Sequence, residues 1–220
     1  FLMVEKGIVS WDRIFYISAG LVVLGLLLSF FSKTLSFITW IILISLWTEI
    51  PGFINENLIE INLSEFFFVL LAIHFGGFWI GLLGIVYTAM LPVFSRMWKP
   101  SLAIKGSVAF AIAIGTAPFF YYNVYNQNLL WTLYTYTGIL FGIIAILSIF
   151  LTTGQFFQEV KLLAIALPLA YLTNLIYVFA LENWAIGMFL PTPHFPGLYK
   201  IIIILCMAGI GAYIYFNKKK

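Results

Sequence analysis

Long apolar runs dominate this sequence and limit what it can fold into. A helix needs ~20 apolar residues to cross a ~30 Å hydrocarbon core, and several runs reach or approach that length. Of the 220 residues, 63% are hydrophobic and only 9% are charged. A soluble domain carries roughly a quarter charged residues, so this chain has too few to cover a water-exposed surface. We therefore predict an all-α fold, a polytopic integral membrane helix bundle.

Short polar or turn-forming segments separate these runs. The predicted spans cover about 14–31, 35–50, 66–94, 101–122, 129–151, 160–181 and 198–216. We expect about seven transmembrane helices, within a range of six to eight. They form a single transmembrane domain over residues 1–220, with no separate soluble domain. Lys6, Asp12 and Arg13 precede the first run, which we expect to be a retained span and not a signal peptide.

The third run, Phe66–Phe94, is long for one crossing and contains the pair Gly76-Gly77, so two topologies remain open. One crossing gives seven spans, with the amino end outside and the carboxyl end cytoplasmic, and this is the topology we choose. A reversal at the glycine pair gives eight passages and both termini inside. In this eight-passage topology, all of the 11 basic residues except Lys33 and Lys200 lie on the same side of the membrane. Basic residues favour the cytoplasmic side, so we expect a multi-pass cell-membrane protein with a cytoplasmic carboxyl terminus.

Small residues recur at helical spacing inside two of the runs. Gly77, Gly81, Gly84 and Thr88 lie at i, i+4, i+7 and i+11, and His74 precedes them on the same face of a continuous helix. Such faces let helix backbones approach closely in membranes. The helix-packing residues that we predict are Gly77, Gly81, Gly84, Gly138 and Gly142.

Ionisable groups within membrane spans are costly and therefore indicate function. Glu49 ends the second span, His74 lies in the third, and Lys105 heads a stripe of small residues in the fourth. One hypothesis is that this stripe faces the glycine stripe. In the sixth span, Tyr171 and Asn174 share a face. The plainer interpretations also remain open: an interfacial glutamate, a lysine that extends to the headgroups, and hydrogen bonds between helices.

Several catalytic patterns are missing from the sequence. No Asp follows Asp12, no His/Glu pair has metalloprotease spacing, and Cys206 is the single cysteine. The net charge of +3 comes mainly from short loops and the carboxyl terminus, so we expect no nucleic-acid partner. We expect no catalytic residue and no metal site; enzyme activity stays open, with a non-catalytic role favoured, and the sequence identifies no cofactor.

The segments Trp47–Gly52 and Asn62–Gly84 resemble the S-components, the substrate-binding membrane subunits of energy-coupling-factor transporters. The resemblance covers roughly 35–181. It implies a proline-bearing loop, a short apolar helix, a glycine turn and a glycine-striped helix after the first core helix. It also implies a small-molecule site near that loop. With the ionisable groups above, the tentative ligand-binding residues are Trp47, Glu49, His74, Trp79, Tyr87, Lys105 and Asn174.

Three functional hypotheses follow. The leading one is a membrane transport or small-molecule-binding subunit that acts within a larger membrane assembly. Its partners would be the lipid bilayer and other membrane subunits. The alternative is a non-catalytic structural subunit of a membrane complex, in which the small-residue stripes are subunit contacts. The third is a membrane enzyme that acts on a lipid.

Overall fold

The described part of the chain is entirely helical. The computed structural model describes residues 11–50, 63–91, 100–151, 156–189 and 197–218. Within these ranges the helices are α1 (Trp11–Phe31), α2 (Lys33–Thr48), α3 (Ser64–Phe75), α4 (Gly77–Met90), α5 (Pro100–Phe119), α6 (Leu129–Leu151), α7 (Phe156–Phe189) and α8 (Gly197–Lys218). A π-helical turn, Phe120–Val124, extends α5. The predicted all-α class is confirmed for these residues.

Four of these helices are long and apolar enough, by length and composition, to cross a membrane. They contain the stretches Trp11–Phe31, Ile104–Val124, Leu129–Ser148 and Ala164–Phe189. The other four apolar helices have shorter qualifying stretches, so the predicted count of seven spans is not confirmed. The predicted boundaries agree well for α6, whereas α7 continues to Phe189, eight residues beyond the predicted end. Most of the acidic stretch 51–65 and of the proline-rich linker 190–197 lies outside the described residues.

The single crossing predicted over 66–94 is wrong, because the chain reverses at Gly76. Helix α3 ends at Phe75 and α4 begins at Gly77. The rings of Phe68 and Tyr87 lie 4.9 Å apart, whereas nineteen residues of continuous helix would separate them by ~28 Å. Gly76 has φ +96° and ψ 131°, a conformation that is accessible mainly to glycine.

Helix α3 lies at the centre of the bundle. Its sequence is apolar on every side from Phe66 to Ile73, and every residue from Phe66 to Ala72 is buried. A helix without a polar face is stable only when it is covered all round. The surrounding rings come from several helices, including Tyr87 of α4, Phe110 of α5 and Tyr177 of α7. At twelve residues, α3 is ~18 Å long and is too short to cross the hydrocarbon core by itself.

Helix α4 packs directly against α5 through its glycines. A Cβ atom on Gly77 would collide with the carbonyl oxygen of Gly115, and one on Gly81 would lie 3.0 Å from that of Ala111. A Cβ atom on Gly84 would meet the Phe110 ring at 2.7 Å. The two backbones approach so closely because these positions lack side chains. The glycine face of α4 is therefore filled by α5.

Neighbouring helices run antiparallel, which gives the bundle two distinct ends. Two contacts at different positions along the helices establish this for three pairs: α1 with α2, α4 with α5, and α5 with α6. A hydrogen bond and a ring contact join α6 to α7. Helix α8 runs parallel to α2, because Lys200 lies over the Trp40 ring and Met207 lies beside Trp47. We call the two ends the Glu49 end and the Gly76 end. Helices α1, α3, α5 and α7 begin at the Glu49 end, and α2, α4, α6 and α8 finish there.

We predict that Gly77→Ala lowers the free energy of unfolding in detergent by about 2 kcal/mol or more, because the new methyl group collides with the α5 backbone. The matched control is Gly142→Ala in α6, where a Cβ atom would meet no atom within 4 Å. That control should be neutral or slightly stabilising, since alanine favours helix more than glycine does. Equal effects of the two substitutions would contradict the α4–α5 contact.

Candidate functional site

The carboxylate of Glu49 joins three helices inside the bundle. Glu49 follows the last residue of α2, and its Oε1 accepts a hydrogen bond of 2.6 Å from the Ser64 hydroxyl of α3. The same oxygen accepts a 3.1 Å hydrogen bond from the Tyr87 hydroxyl of α4. All three side chains are buried. Both donors are neutral hydroxyls, and no basic side chain contacts this carboxylate among the residues that the structure describes.

The end of α2 also holds the start of α3 through the neighbouring residue. The backbone N–H of Leu63, the N-cap of α3, donates a 3.2 Å hydrogen bond to Thr48 Oγ1. Leu63 itself has no side chain that can accept from the first turn of α3. The Glu49 carboxylate lies beside this turn, where the helix dipole is positive and favours an anion. Thr48 thus accepts a hydrogen bond from the Leu63 backbone N–H, and Glu49 accepts one from the Ser64 hydroxyl, at a turn where α3 has no side-chain cap of its own.

Trp47 lies near this junction but contacts other helices. Its indole N–H donates a 3.1 Å hydrogen bond to the Ser18 hydroxyl of α1. The ring also lines an apolar cavity of about 230 Å³ between α2 and α8, together with Cys206 and Met207. Trp47 therefore connects the Glu49 end of α2 with both α1 and α8.

Lys105 is buried at the interface between α5 and α6. Its Nζ donates a 3.1 Å hydrogen bond to the Ser148 hydroxyl. The α5 positions that contact the glycines of α4 include Ala111 and Gly115, which lie about 120° and 80° around the helix axis from Lys105 and do not belong to the stripe that it heads. The hypothesis that the Lys105 stripe faces the glycine stripe is therefore wrong.

Asn174 joins α7 to α6 and lies apart from Glu49. Its Nδ2 donates a 2.8 Å hydrogen bond to the Thr137 hydroxyl, and both residues are buried. This contact is a hydrogen bond between two helices. It agrees with the plainer interpretation of Asn174, in which the residue holds helices together and does not bind a ligand. Asn174 and Lys105 do not share a contact with the Glu49 carboxylate.

His74 and Trp79 lie at the Gly76 end, away from the Glu49 carboxylate. His74 belongs to α3, before the reversal, so it does not continue the glycine stripe of α4 as the sequence suggested. Its ring is exposed and lies 4.7 Å from that of Phe75 and 5.6 Å from that of Phe189. Trp79 is 69% exposed on the outer surface of α4. Of the predicted ligand residues, only Glu49 and Tyr87 come into direct contact.

The two glycines of α6 differ in their surroundings. A Cβ atom on Gly138 would lie 3.3 Å from the Tyr171 hydroxyl of α7. Gly142 is exposed, and a Cβ atom there would meet nothing within 4 Å in the described chain. Gly138 therefore sits at a helix contact, whereas Gly142 faces away from the described helices.

Two functional contacts involve serines that sequence reasoning missed. Ser64 supplies the shorter hydrogen bond to Glu49, and Ser107 pairs with Thr88 at 2.8 Å between α4 and α5. A serine directly before a long apolar run is a signal for the start of a helix, and that signal was present at Ser64. No local sequence pattern indicates the role of Ser107, because its partner, Thr88, belongs to another helix.

The described residues contain no group of three or more His, Cys, Asp or Glu side chains that could hold a metal ion. In comparisons with protein-family models, curated proteins and solved structures, the chain matches none of them. The arrangement around Glu49 is therefore interpreted from its own chemistry.

Proposed function

We propose that this chain is a multi-pass integral membrane protein that binds a small molecule, as a transport or binding subunit within a larger membrane assembly. Its outer surface supports membrane insertion, because large apolar side chains point away from the bundle. Phe30, Phe31 and Phe179 are each more than 80% exposed. An apolar outer surface of this kind suits contact with lipid and not with water.

The observation that carries the binding function is the buried carboxylate of Glu49. A charged group inside a membrane protein is costly to bury unless another group compensates it. Ser64 and Tyr87 provide hydrogen bonds but no positive charge. Discontinuous helices that end inside a bundle form the substrate and ion sites of many transporters. We propose that a cationic group of the ligand meets Glu49 at the start of α3.

The resemblance to the S-components is part of this proposal. The order of short helix, glycine turn and glycine-striped helix between Ser64 and Met90 is the order that the resemblance implies. The resemblance also implies a ligand site near the end of α2, where Glu49 lies. One implication disagrees with the charge rule: the family's orientation would place Arg96, Lys99 and the terminal lysines outside.

For the orientation we follow the charge distribution. In the sequence, all of the 11 basic residues except Lys33 and Lys200 belong to helix ends on the Glu49 side or to the segments directly joined to those ends. Basic residues favour the cytoplasmic side. We propose that the Glu49 end and both termini are cytoplasmic in the cell membrane, which replaces the earlier choice of an external amino end.

We predict opposite labelling of two single cysteines introduced into a Cys206→Ser background. Asn123→Cys, at the Gly76 end, should react with a membrane-impermeant maleimide in intact cells. Lys218→Cys, at the Glu49 end, should react only after the membrane is permeabilised. The reverse pattern would contradict the charge-based orientation and agree with the one that the resemblance implies.

We predict that Glu49→Gln abolishes ligand binding without unfolding the protein. The probes are water-soluble vitamins, amino acids and metal salts, each tested by thermal unfolding of the detergent-purified chain. At least one cationic probe should raise the melting temperature of the unsubstituted protein. Glu49→Gln should lose that rise and keep its ligand-free melting temperature within a few degrees, because the glutamine oxygen can still accept from Ser64 and Tyr87.

The matched control is Glu182→Gln, which removes the same charge from α7 near the Gly76 end. This variant should retain the full ligand-induced rise. A complete absence of stabilising probes would overturn the binding function. A rise that survives in Glu49→Gln would overturn the role of Glu49 in it.

A structural subunit is the second candidate, favoured by the paired polar groups between helices. The pairs Thr88–Ser107, Lys105–Ser148 and Asn174–Thr137 each join two neighbouring helices, as expected of contacts that hold a bundle together. Purification from native membranes separates the two functions. Constant partner subunits without any stabilising ligand would favour the structural subunit.

A further inference from the structure

A second cavity lies at the Gly76 end, far from Glu49. It has a volume of about 540 Å³ and opens between α6, α7 and the turn that precedes α6. Four aromatic side chains line it: Tyr125, Trp131, Tyr134 and Tyr171. We call this cavity the aromatic groove. Its volume is within the range of about 300–1,000 Å³ that is usual for small-molecule sites.

Neighbouring rings around the groove are tilted relative to one another. The ring centroids of Tyr125 and Trp131 are 6.5 Å apart, and those of Trp131 and Tyr134 are 5.8 Å apart at an interplanar angle of 89°. The rings of Tyr134 and Tyr171 lie 4.9 Å apart at 60°. Rings that are tilted in this way do not stack into a single layer.

The turn before α6 holds Tyr125 in place over the groove. The Tyr125 N–H donates a 2.8 Å hydrogen bond to the Phe120 carbonyl, which closes the π-helical turn. Its hydroxyl pairs with the Thr135 hydroxyl of α6 at 2.6 Å. The next two residues, Asn126 and Gln127, have φ values of 48° and 65°. Such conformations are uncommon for residues other than glycine, and here they reverse the chain directly after Tyr125.

Helix α6 contributes one face of the groove. Trp131, Thr135 and Gly138 follow one another at i, i+4 and i+7, so they lie on the same side of the helix. Because Gly138 has no side chain, the Tyr171 hydroxyl approaches α6 closely there. The offset of four residues from Trp131 to Thr135 places the tryptophan about one helical turn from the hydroxyl pair.

The chemistry of the groove favours a cation that cannot donate hydrogen bonds. Tyrosine and tryptophan rings attract cations to their faces, and cages of such rings recognise quaternary ammonium groups. No charged side chain lines the aromatic groove among the residues that the structure describes. A quaternary ammonium group needs no hydrogen-bond acceptor, so ring faces alone can hold it in a lining that is mostly aromatic. We propose that the aromatic groove binds a quaternary ammonium group.

This proposal is independent of the Glu49 site, because the two lie at opposite ends of the bundle. The quaternary ammonium group can belong to a free solute, such as choline, or to a phosphatidylcholine headgroup. Both present the same trimethylammonium cation to the rings. The experiment therefore has one arm for each source.

In the first arm, equilibrium dialysis measures the binding of radiolabelled choline to the full chain in a choline-free detergent. Trp131→Leu should weaken this binding at least tenfold. The matched control is Trp79→Leu, an exposed tryptophan of α4 outside the groove, which should change the binding less than twofold. Excess tetramethylammonium should displace the label, and the neutral isostere 3,3-dimethylbutan-1-ol should not.

In the second arm, the protein is placed in nanodiscs of phosphatidylcholine or of phosphatidylglycerol, and its melting temperature is measured. If the lipid headgroup is the ligand, the melting temperature is higher in phosphatidylcholine than in phosphatidylglycerol. Trp131→Leu should remove this difference, and Trp79→Leu should retain it. Choline binding in the first arm identifies the free solute. Failure of both arms, or equal displacement by the neutral isostere, would overturn the proposal.

Discussion

The hydrogen bonds between the end of α2 and the start of α3 are the interaction on which the rest of the structure depends. Helix α3 is apolar from Phe66 to Ile73 and begins at the buried Ser64, so the polar groups of its first turn need partners within the protein. Thr48 and Glu49 face that turn, and Tyr87 completes the junction. Because this junction fixes one end of α3 and Gly76 reverses the chain at the other, the surrounding helices can close around a short central helix.

The two adjacent glycines at the reversal serve different physical needs. Gly76 has open space around it but a positive φ, so its requirement is conformational. Gly77 has an ordinary helical conformation but almost touches Gly115, so its requirement is steric. Together they turn the chain and let α4 lie directly against α5. This reversal also places Lys105, Lys161 and Lys218 toward the same end of the bundle as Arg13 and Glu49, which connects the packing of α3 with the proposed orientation.

Much of the fold could be predicted from the sequence, but the site could be predicted only in part. Apolar runs identify helices well, because each helix must be long and apolar by itself, and α6 matches its predicted limits. The single crossing that we predict over 66–94 is wrong, since a glycine pair is compatible with both a helix and a turn and the sequence does not decide between them. Glu49 is predicted as an ionisable group at a span end and Tyr87 by its position in the resemblance, and the two are in contact. Ser107 and the groove around Tyr125 depend on contacts between helices that are distant in sequence, and no local pattern reports such contacts.

The distance between Glu65 and Met90 tests the central claim most directly, that α3 is a short buried helix that reverses at Gly76. Spin labels on Glu65→Cys and Met90→Cys, in a Cys206→Ser background, can be measured by pulsed electron resonance in detergent and in lipid. Packed antiparallel helices place these positions about 20 Å apart or less, given interaxial distances of about 8–10 Å. A continuous helix would separate them by about 37 Å. A single population at the shorter distance agrees with the account, and a population near the longer distance would contradict it.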